Sequence, residues 1–240
     1  MEKIVIVTGG SRGIGKATSI ELAKHGYFVC INYRTNSEAA QLLEEQIKSD
    51  GGKAISIKAD ISLEQDVLKL FEQVDKLEGI LFGLINNAGV LAEQSSLMNM
   101  TAERIRKTFE TNVFGTFLCC REAIKRMKNG GSIVNISSGA SKSGGPNEYL
   151  DYASTKGAID TFTIGLAKEV AEQNIRVNAV RPGFIETDIH KIPNRLETVK
   201  SIIPMKRVGQ PIEIAKAIVW LMSDNSSYTT GAIIDIAGGK

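Results

Sequence analysis

Seven short runs of β-branched and aliphatic residues recur along the chain, at residues 4–8, 28–33, 54–57, 81–86, 132–137, 176–180 and 232–236. Each is continuously apolar rather than alternating. A strand with one wet face alternates, so unbroken runs point to strands covered on both faces of a parallel sheet. Between them lie segments whose apolar residues recur every three or four positions, as on one face of a helix. Residues 37–49 carry Ala40, Leu43 and Ile47 at that spacing, and residues 64–77 carry Val67, Leu70, Phe71 and Val74. Ser62 and Gln65 have the form of a capping box for the second of these. Further helical patterns cover residues 16–25, 102–127, 152–172 and 211–222, with Pro211 in a first-turn position and Gln210 as a weak cap. This alternation predicts a doubly wound α/β fold with a parallel seven-stranded sheet and right-handed crossovers, in one domain over residues 1–240. Only residues 187–209, with Pro193 and Pro204, lack a pattern, and a stretch of that length reads as a mobile substrate loop.

Composition narrows the function classes. A net charge of +2 over 240 residues gives no sign of nucleic acid or an anionic membrane as partner. With 42% hydrophobic and 23% charged residues the chain has the balance of a folded protein. Cys30, Cys119 and Cys120 form no C-x-x-C pair, which argues against a disulfide framework or a metal site and for a reducing compartment. No apolar stretch reaches bilayer-spanning length and the N-terminus opens on a strand, so a cytoplasmic protein is expected.

The first strand runs into Thr8-Gly9-Gly10-Ser11-Arg12-Gly13-Ile14-Gly15, and a helix follows. Glycines there allow tight turns, and the helix N-terminus offers free N–H groups to a phosphate. Three motifs overlap on these residues. Gly10-x4-Gly15-Lys16 imitates a P-loop, but Ala17 has no hydroxyl for Mg²⁺. Gly9-x-Ser11-x-Gly13 imitates a hydrolase nucleophile elbow, with only His25 and His190 to act as base. Gly9-x3-Gly13-x-Gly15 reads as a dinucleotide pyrophosphate site, with Tyr33-Arg34 ending the second strand where the adenosine ribose should lie.

Tyr152 and Lys156 stand at i and i+4, on one face of a helix. A free tyrosine has a pKa of ~10, and a nearby ammonium favours the phenolate, which suits the pair to proton transfer. Ser138 ends the fifth strand, Asn86-Asn87-Ala88-Gly89 ends the fourth, and Arg181-Pro182-Gly183 ends the sixth. All fall at the carboxyl edge of the sheet, where open α/β sheets bind ligands. Asn112 interrupts a helical region with a side chain that competes for backbone hydrogen bonds.

With TGGSRGIG (8–15), Asp60, NNAG (86–89), Asn112, Ser138, YASTK (152–156) and RPGFIETD (181–188) in this order, the chain resembles the short-chain dehydrogenase/reductase family over almost its whole length. The resemblance is to the compact single-domain form, including sugar-type dehydrogenases and 3-oxoacyl carrier-protein reductases. It implies a Rossmann-like fold and an oxidoreductase that interconverts a carbonyl and a secondary alcohol by hydride transfer with a nicotinamide cofactor. In that reading Tyr152 is the acid/base and Lys156 lowers its pKa and bonds the nicotinamide ribose. Ser138 polarises the reacting oxygen, and Asn112 holds a water for proton relay. Gly9, Ser11, Arg12, Gly13, Ile14 and Gly15 hold the pyrophosphate side. Asp60 and Ile61 flank the adenine, Asn87, Ala88 and Gly89 line its ribose, and Pro182, Gly183, Ile185 and Thr187 face the nicotinamide. An alternative is a catalytically idle NADP(H)-sensing protein of the same fold, although such a protein has no need to keep Asn112, Ser138, Tyr152 and Lys156 together.

One departure is the fourteen-residue step from Ser138 to Tyr152, one longer than the spacing commonest in the family, which makes Ser137 a competitor for the serine role. Tyr33 and Arg34 stand where an acidic residue would select NAD, and Arg12 lies in the glycine loop. NADP(H) is therefore expected to be preferred, with NAD(H) possible. Candidate substrate-pocket residues are Ala140, Asn147, Tyr149, Phe184, Ile189, His190, Ile192 and Leu196, a mixed surface without a charge cluster, facing a small carbonyl or alcohol. Apolar Ile105, Phe109, Val113, Phe117, Ile159, Phe162, Leu166 and Val170 on more than one face of two helical regions predict a homotetramer, or failing that a dimer.

Overall fold

A computed structural model describes residues 1–187 and 195–240. The chain runs β1 (Lys3–Val7), α1 (Gly13–Lys24), β2 (Phe28–Tyr33), α2 (Ser37–Ser49), β3 (Lys53–Lys58), α3 (Glu64–Val74) and β4 (Ile80–Asn86). It continues through α4 (Ala102–Phe109), α5 (Gly115–Arg126), β5 (Gly131–Ile136), α6 (Ala140–Ser143), α7 (Leu150–Glu169), β6 (Ile175–Pro182), α8 (Arg195–Lys200), α9 (Pro211–Met222) and β7 (Ile233–Ile236). The strands form one seven-stranded sheet in the order β3-β2-β1-β4-β5-β6-β7, every pair parallel. Strand order reverses between β1 and β4. That switch point opens a crevice at the carboxyl edge of an α/β sheet.

The unbroken apolar strands are explained by the two layers. On β1, Ile4 and Ile6 pack with Val67, Leu70 and Phe71 of α3 and Leu118 of α5, whereas Val5 and Val7 pack with Leu22 of α1, Leu43 of α2 and Ile218 of α9. Successive side chains point to opposite faces, so a strand between two helical layers has no polar position to spare. Full burial of a side chain such as Phe71 contributes about 1.5–3 kcal/mol.

Three sequence expectations are corrected locally. Ser62 does not cap α3. Its N–H and its hydroxyl both donate to Asp60 Oδ1, at 3.0 and 2.7 Å, and Leu63 takes the cap position without a side-chain bond. The expected helix over residues 102–127 is broken by one wide turn at Glu110–Phe114, with Asn112 inside it. Residues 187–209 are not wholly irregular, since they contain α8, whose Lys200 pairs with Glu197 at 2.6 Å. Pro211 does stand in the first turn of α9, where Glu213 Oε2 accepts from the Gln210 N–H at 2.8 Å.

Candidate active site

The glycine loop is shaped by contacts that only glycine allows. Gly9 and Gly13 have φ of +59° and +52°, in the left-handed region. A Cβ on Gly15 would lie 2.4 Å from the Gly9 carbonyl oxygen and 2.6 Å from Asn87 Nδ2, so α1 starts directly against the loop. Asn87 holds the loop to the end of β4, its Nδ2 donating to the carbonyls of Thr8 and Gly9 at 2.9 and 3.0 Å. Thr8 Oγ1 in turn accepts from the N–H groups of Asn87 and Ala88. Asn32, buried under the loop, accepts from the Gly9 N–H through Oδ1 and donates through Nδ2 to Ile57 and Ala59. Such a cradle lets a backbone approach a pyrophosphate closely, at the N-terminus of a helix. The competing elbow reading loses one base, because His25 sits at the far end of α1 with Nδ1 against the Glu21 carbonyl.

At the carboxyl ends of β1, β4, β5 and β6 one crevice of about 980 Å³ opens. Gly9, Ser11, Arg12, Gly13, Ile14, Tyr33, Arg34, Asp60, Ile61, Asn87, Ala88, Gly89, Ser138, Tyr152, Lys156, Pro182, Gly183, Ile185 and Thr187 all line it. Gly15 and Asn112 stand behind the wall.

The Ser138 hydroxyl, which accepts from the Ala140 N–H at 3.1 Å, faces the Tyr152 phenol and favours its ionised form. Ser137, the competitor, also lines the crevice, but it is buried and its hydroxyl is engaged, donating to the Lys156 carbonyl at 3.2 Å. The Lys156 ammonium lies 5.5 Å from the centroid of the Tyr152 ring and donates to the Ile136 carbonyl at 2.6 Å. Burial pushes Lys156 down to about 8, against a smaller opposing pull from the Asp160 carboxylate. Spacing alone leads to the expectation of an acidified phenol. Here burial instead holds Tyr152 above its ordinary range, and Ser138 opposes it. Such a phenol is protonated at neutral pH. It is equipped to give a proton.

Asn112 braces the segment after β4: Nδ2 donates to the Val90 carbonyl at 3.1 Å and Oδ1 accepts from the Val90 N–H at 2.8 Å. Nδ2 also donates to Thr155 Oγ1 at 3.2 Å. The wide turn carries this side chain across to Thr155 on α7, one residue before Lys156. On the other side of the crevice, Arg34 approaches Asp60 at 3.7 Å, with Tyr33 beside them at the end of β2. Arg12 is exposed at the start of α1.

Sequence reasoning missed part of the wall. Lys142, Glu148, Asp235 and Lys240 line the crevice, so its substrate end is more charged than the expected pocket. Lys142 pairs with Asp235 at 2.9 Å, and the Lys240 ammonium lies 4.4 Å from the centroid of the Phe184 ring. Lys142 on α6 and Glu148 before α7 lie about ninety residues from Asp235 on β7 and Lys240 beyond it, too far apart in sequence for any spacing to join them. Ala140, Tyr149 and Phe184 line the crevice as expected, but Asn147 does not. Its backbone is left-handed, with φ of +60°, in the turn before α7. Ile189, His190 and Ile192 lie outside the described residues, as does the Leu196 side chain.

Known proteins resemble this chain in sequence. A family model described as Enoyl-(Acyl carrier protein) reductase matches residues 9–240. Uncharacterized oxidoreductase YgfF of Escherichia coli is 56% identical over 245 residues, covering 99% of each chain. The chain is a short-chain dehydrogenase/reductase. Membership makes it an NAD(P)-dependent oxidoreductase with a Rossmann-like fold. NADPH-dependent aldehyde reductase 1, chloroplastic, of Arabidopsis thaliana is 37% identical, covering 99% of this chain and 85% of that protein. The 3-oxoacyl-[acyl-carrier-protein] reductase FabG of Staphylococcus aureus is 35% identical, covering 100% and 98%. Among the described residues of this short-chain dehydrogenase/reductase, no helix is long and apolar enough to cross a membrane.

Proposed function

We propose that the protein interconverts a small carbonyl compound and its alcohol, preferring NADP(H) to NAD(H). The observation that carries this reading is the protonated Tyr152 phenol facing Ser138 beside a buried Lys156. The glycine cradle fits a dinucleotide, since side chains at Gly9 or Gly15 would collide with Ala88, the Gly9 carbonyl and Asn87 and force open the tight loop that a pyrophosphate would approach. When bound, the nicotinamide supplies the hydride that reaches the carbonyl carbon, or takes it back from the alcohol. Tyr152 gives its proton to the carbonyl oxygen in one direction and removes the hydroxyl proton in the other. Ser138 holds that oxygen. The Lys156 ammonium stabilises the phenolate that forms, and Asn112 keeps the Val90 segment and α7 in register for proton relay.

Arg34 and Arg12 supply the charge for a 2′-phosphate, with no carboxylate at the end of β2 to repel one. A relative named as an NADPH-dependent aldehyde reductase agrees with both halves of the reading. We also propose a cytoplasmic enzyme that works as a homotetramer; the expected substrate loop falls in part on residues 188–194, outside the described residues.

The test is a panel of aldehydes, ketones and alcohols followed at the reduced-nicotinamide absorbance with each cofactor. Oxidation of NADPH by at least one carbonyl supports the reading. No turnover of any member with either cofactor, despite demonstrated NADPH binding, would favour the sensing alternative.

A further inference from the structure

One helical turn beyond Lys156, α7 carries Asp160, a carboxylate that is only 7% exposed. Its Oδ2 accepts from Arg181 Nε and Nη2, at 3.0 and 2.9 Å. Its Oδ1 is buried and has no partner among the described residues. A half-satisfied carboxylate at that depth costs stability, and apolar groups there would be cheaper. A structural clamp alone would engage both oxygens. The free oxygen leaves a concentrated negative charge on the helix face that also holds the 4% exposed Lys156.

We infer that Asp160 is a positioning residue: it keeps the Lys156 ammonium charged for its work beside Tyr152, and Arg181 sets the strength of that influence. Catalytic use of Lys156 rests on the function proposed above; the electrostatic link does not. The groups around the pair are few. On α7 itself they are Tyr152 and Asp160. Asp151, at the first turn, is engaged by Arg104 of α4 at 2.9 Å. From β5 comes the neutral Ile136 carbonyl, and from the wide turn the neutral Asn112 amide. From β6 comes Arg181, which also approaches Asp235 of β7 at 3.6 Å, and Asp235 pairs with Lys142 of α6. The Asp160 charge favours the Lys156 ammonium, which accords with this geometry. Arg181 is the cation nearest to Asp160.

The two partners must therefore act in opposite directions. Replacing Asp160 by Asn removes the attraction and leaves Arg181 to repel the ammonium. Replacing Arg181 by Gln removes a repelling cation and frees Asp160. Lysine ¹³Cε chemical shifts, followed against pH in the protein without added ligand, read the Lys156 pKa directly, with Lys156→Met assigning the signal. Asp160→Asn is expected to lower the midpoint by roughly one unit or more and Arg181→Gln to raise it. A merely structural pair would change melting temperature without splitting the midpoints by sign. If Asp160→Asn does not fold, Arg181→Gln alone decides the matter: a midpoint that stays or falls overturns the inference. Because the readout needs no turnover, failure of the carbonyl panel and failure of this link are separate results.

Discussion

The Lys156 ammonium donates to the Ile136 carbonyl at 2.6 Å and faces the ring of Tyr152, 5.5 Å from its centroid. This is a buried cation whose proton is weakly held, about 8 in the folded chain against 10.5 for a free lysine. Between those values the unfolded chain binds more protons than the folded one, so stability rises as pH increases through the window. Below about pH 8 the full cost of burying the charge is present. Lys156→Met is expected to melt higher than wild type at pH 7, with the gain shrinking from pH 8 towards 10.5. Melting curves against pH decide it, and parallel curves for the two proteins would contradict the assignment.

The proposed preference for NADP(H) rests on Arg34. It is largely exposed and loosely tied to Asp60, so its removal disturbs little of the fold. Arg34→Ala is expected to weaken NADP(H) by roughly ten- to a hundredfold, the scale of a lost charge-assisted bond, and NAD(H) little. Titration of both cofactors against both proteins measures this. An equal loss for the two would rule out a 2′-phosphate contact.

Gly15→Ala sets a Cβ against the Gly9 carbonyl and Asn87, neither of which has room to move. A loss of about 1–3 kcal/mol in stability is expected, together with weaker cofactor binding. Gly165→Ala is the control, since its Cβ would meet nothing within 4 Å on α7. There a gain of about 0.5–1 kcal/mol is expected from helix propensity. Denaturant titration reads both.

Phe109, Phe114 and Phe117 are 37%, 49% and 46% exposed along α4, the wide turn and α5, and Phe117 stacks on Phe162 of α7 at 4.0 Å. An apolar patch of this kind marks an interaction face. Light scattering is expected to give a tetramer, or at least a dimer, that Phe117→Glu dissociates. A monomeric wild type at micromolar concentration would refute the assembly.

The sheet was legible because strands buried on both faces leave a continuous apolar record, and the observed ends differ from the sequence ranges by at most two residues. Residues of the candidate site were legible where strand ends gather them, as with Ser138, Asn87 and Pro182. The charged wall was not, because Lys142 meets Asp235 only through the packing of α6 against the last strands. Nor was the state of Tyr152. Spacing shows that Lys156 is near, but only the fold shows that burial holds the phenol up, with Ser138 opposing it. Ser62 failed as a cap for a similar reason, since Asp60 captures its hydroxyl first.

Tyr152 is the proposed carrier of the proton. Tyr152→Phe keeps the ring and its packing and removes only the hydroxyl that faces Ser138. On the best carbonyl substrate from the panel, with NADPH saturating, kcat is expected to fall roughly 10²–10⁴-fold while NADPH affinity stays unchanged. A variant that keeps most of the wild-type kcat would contradict the account.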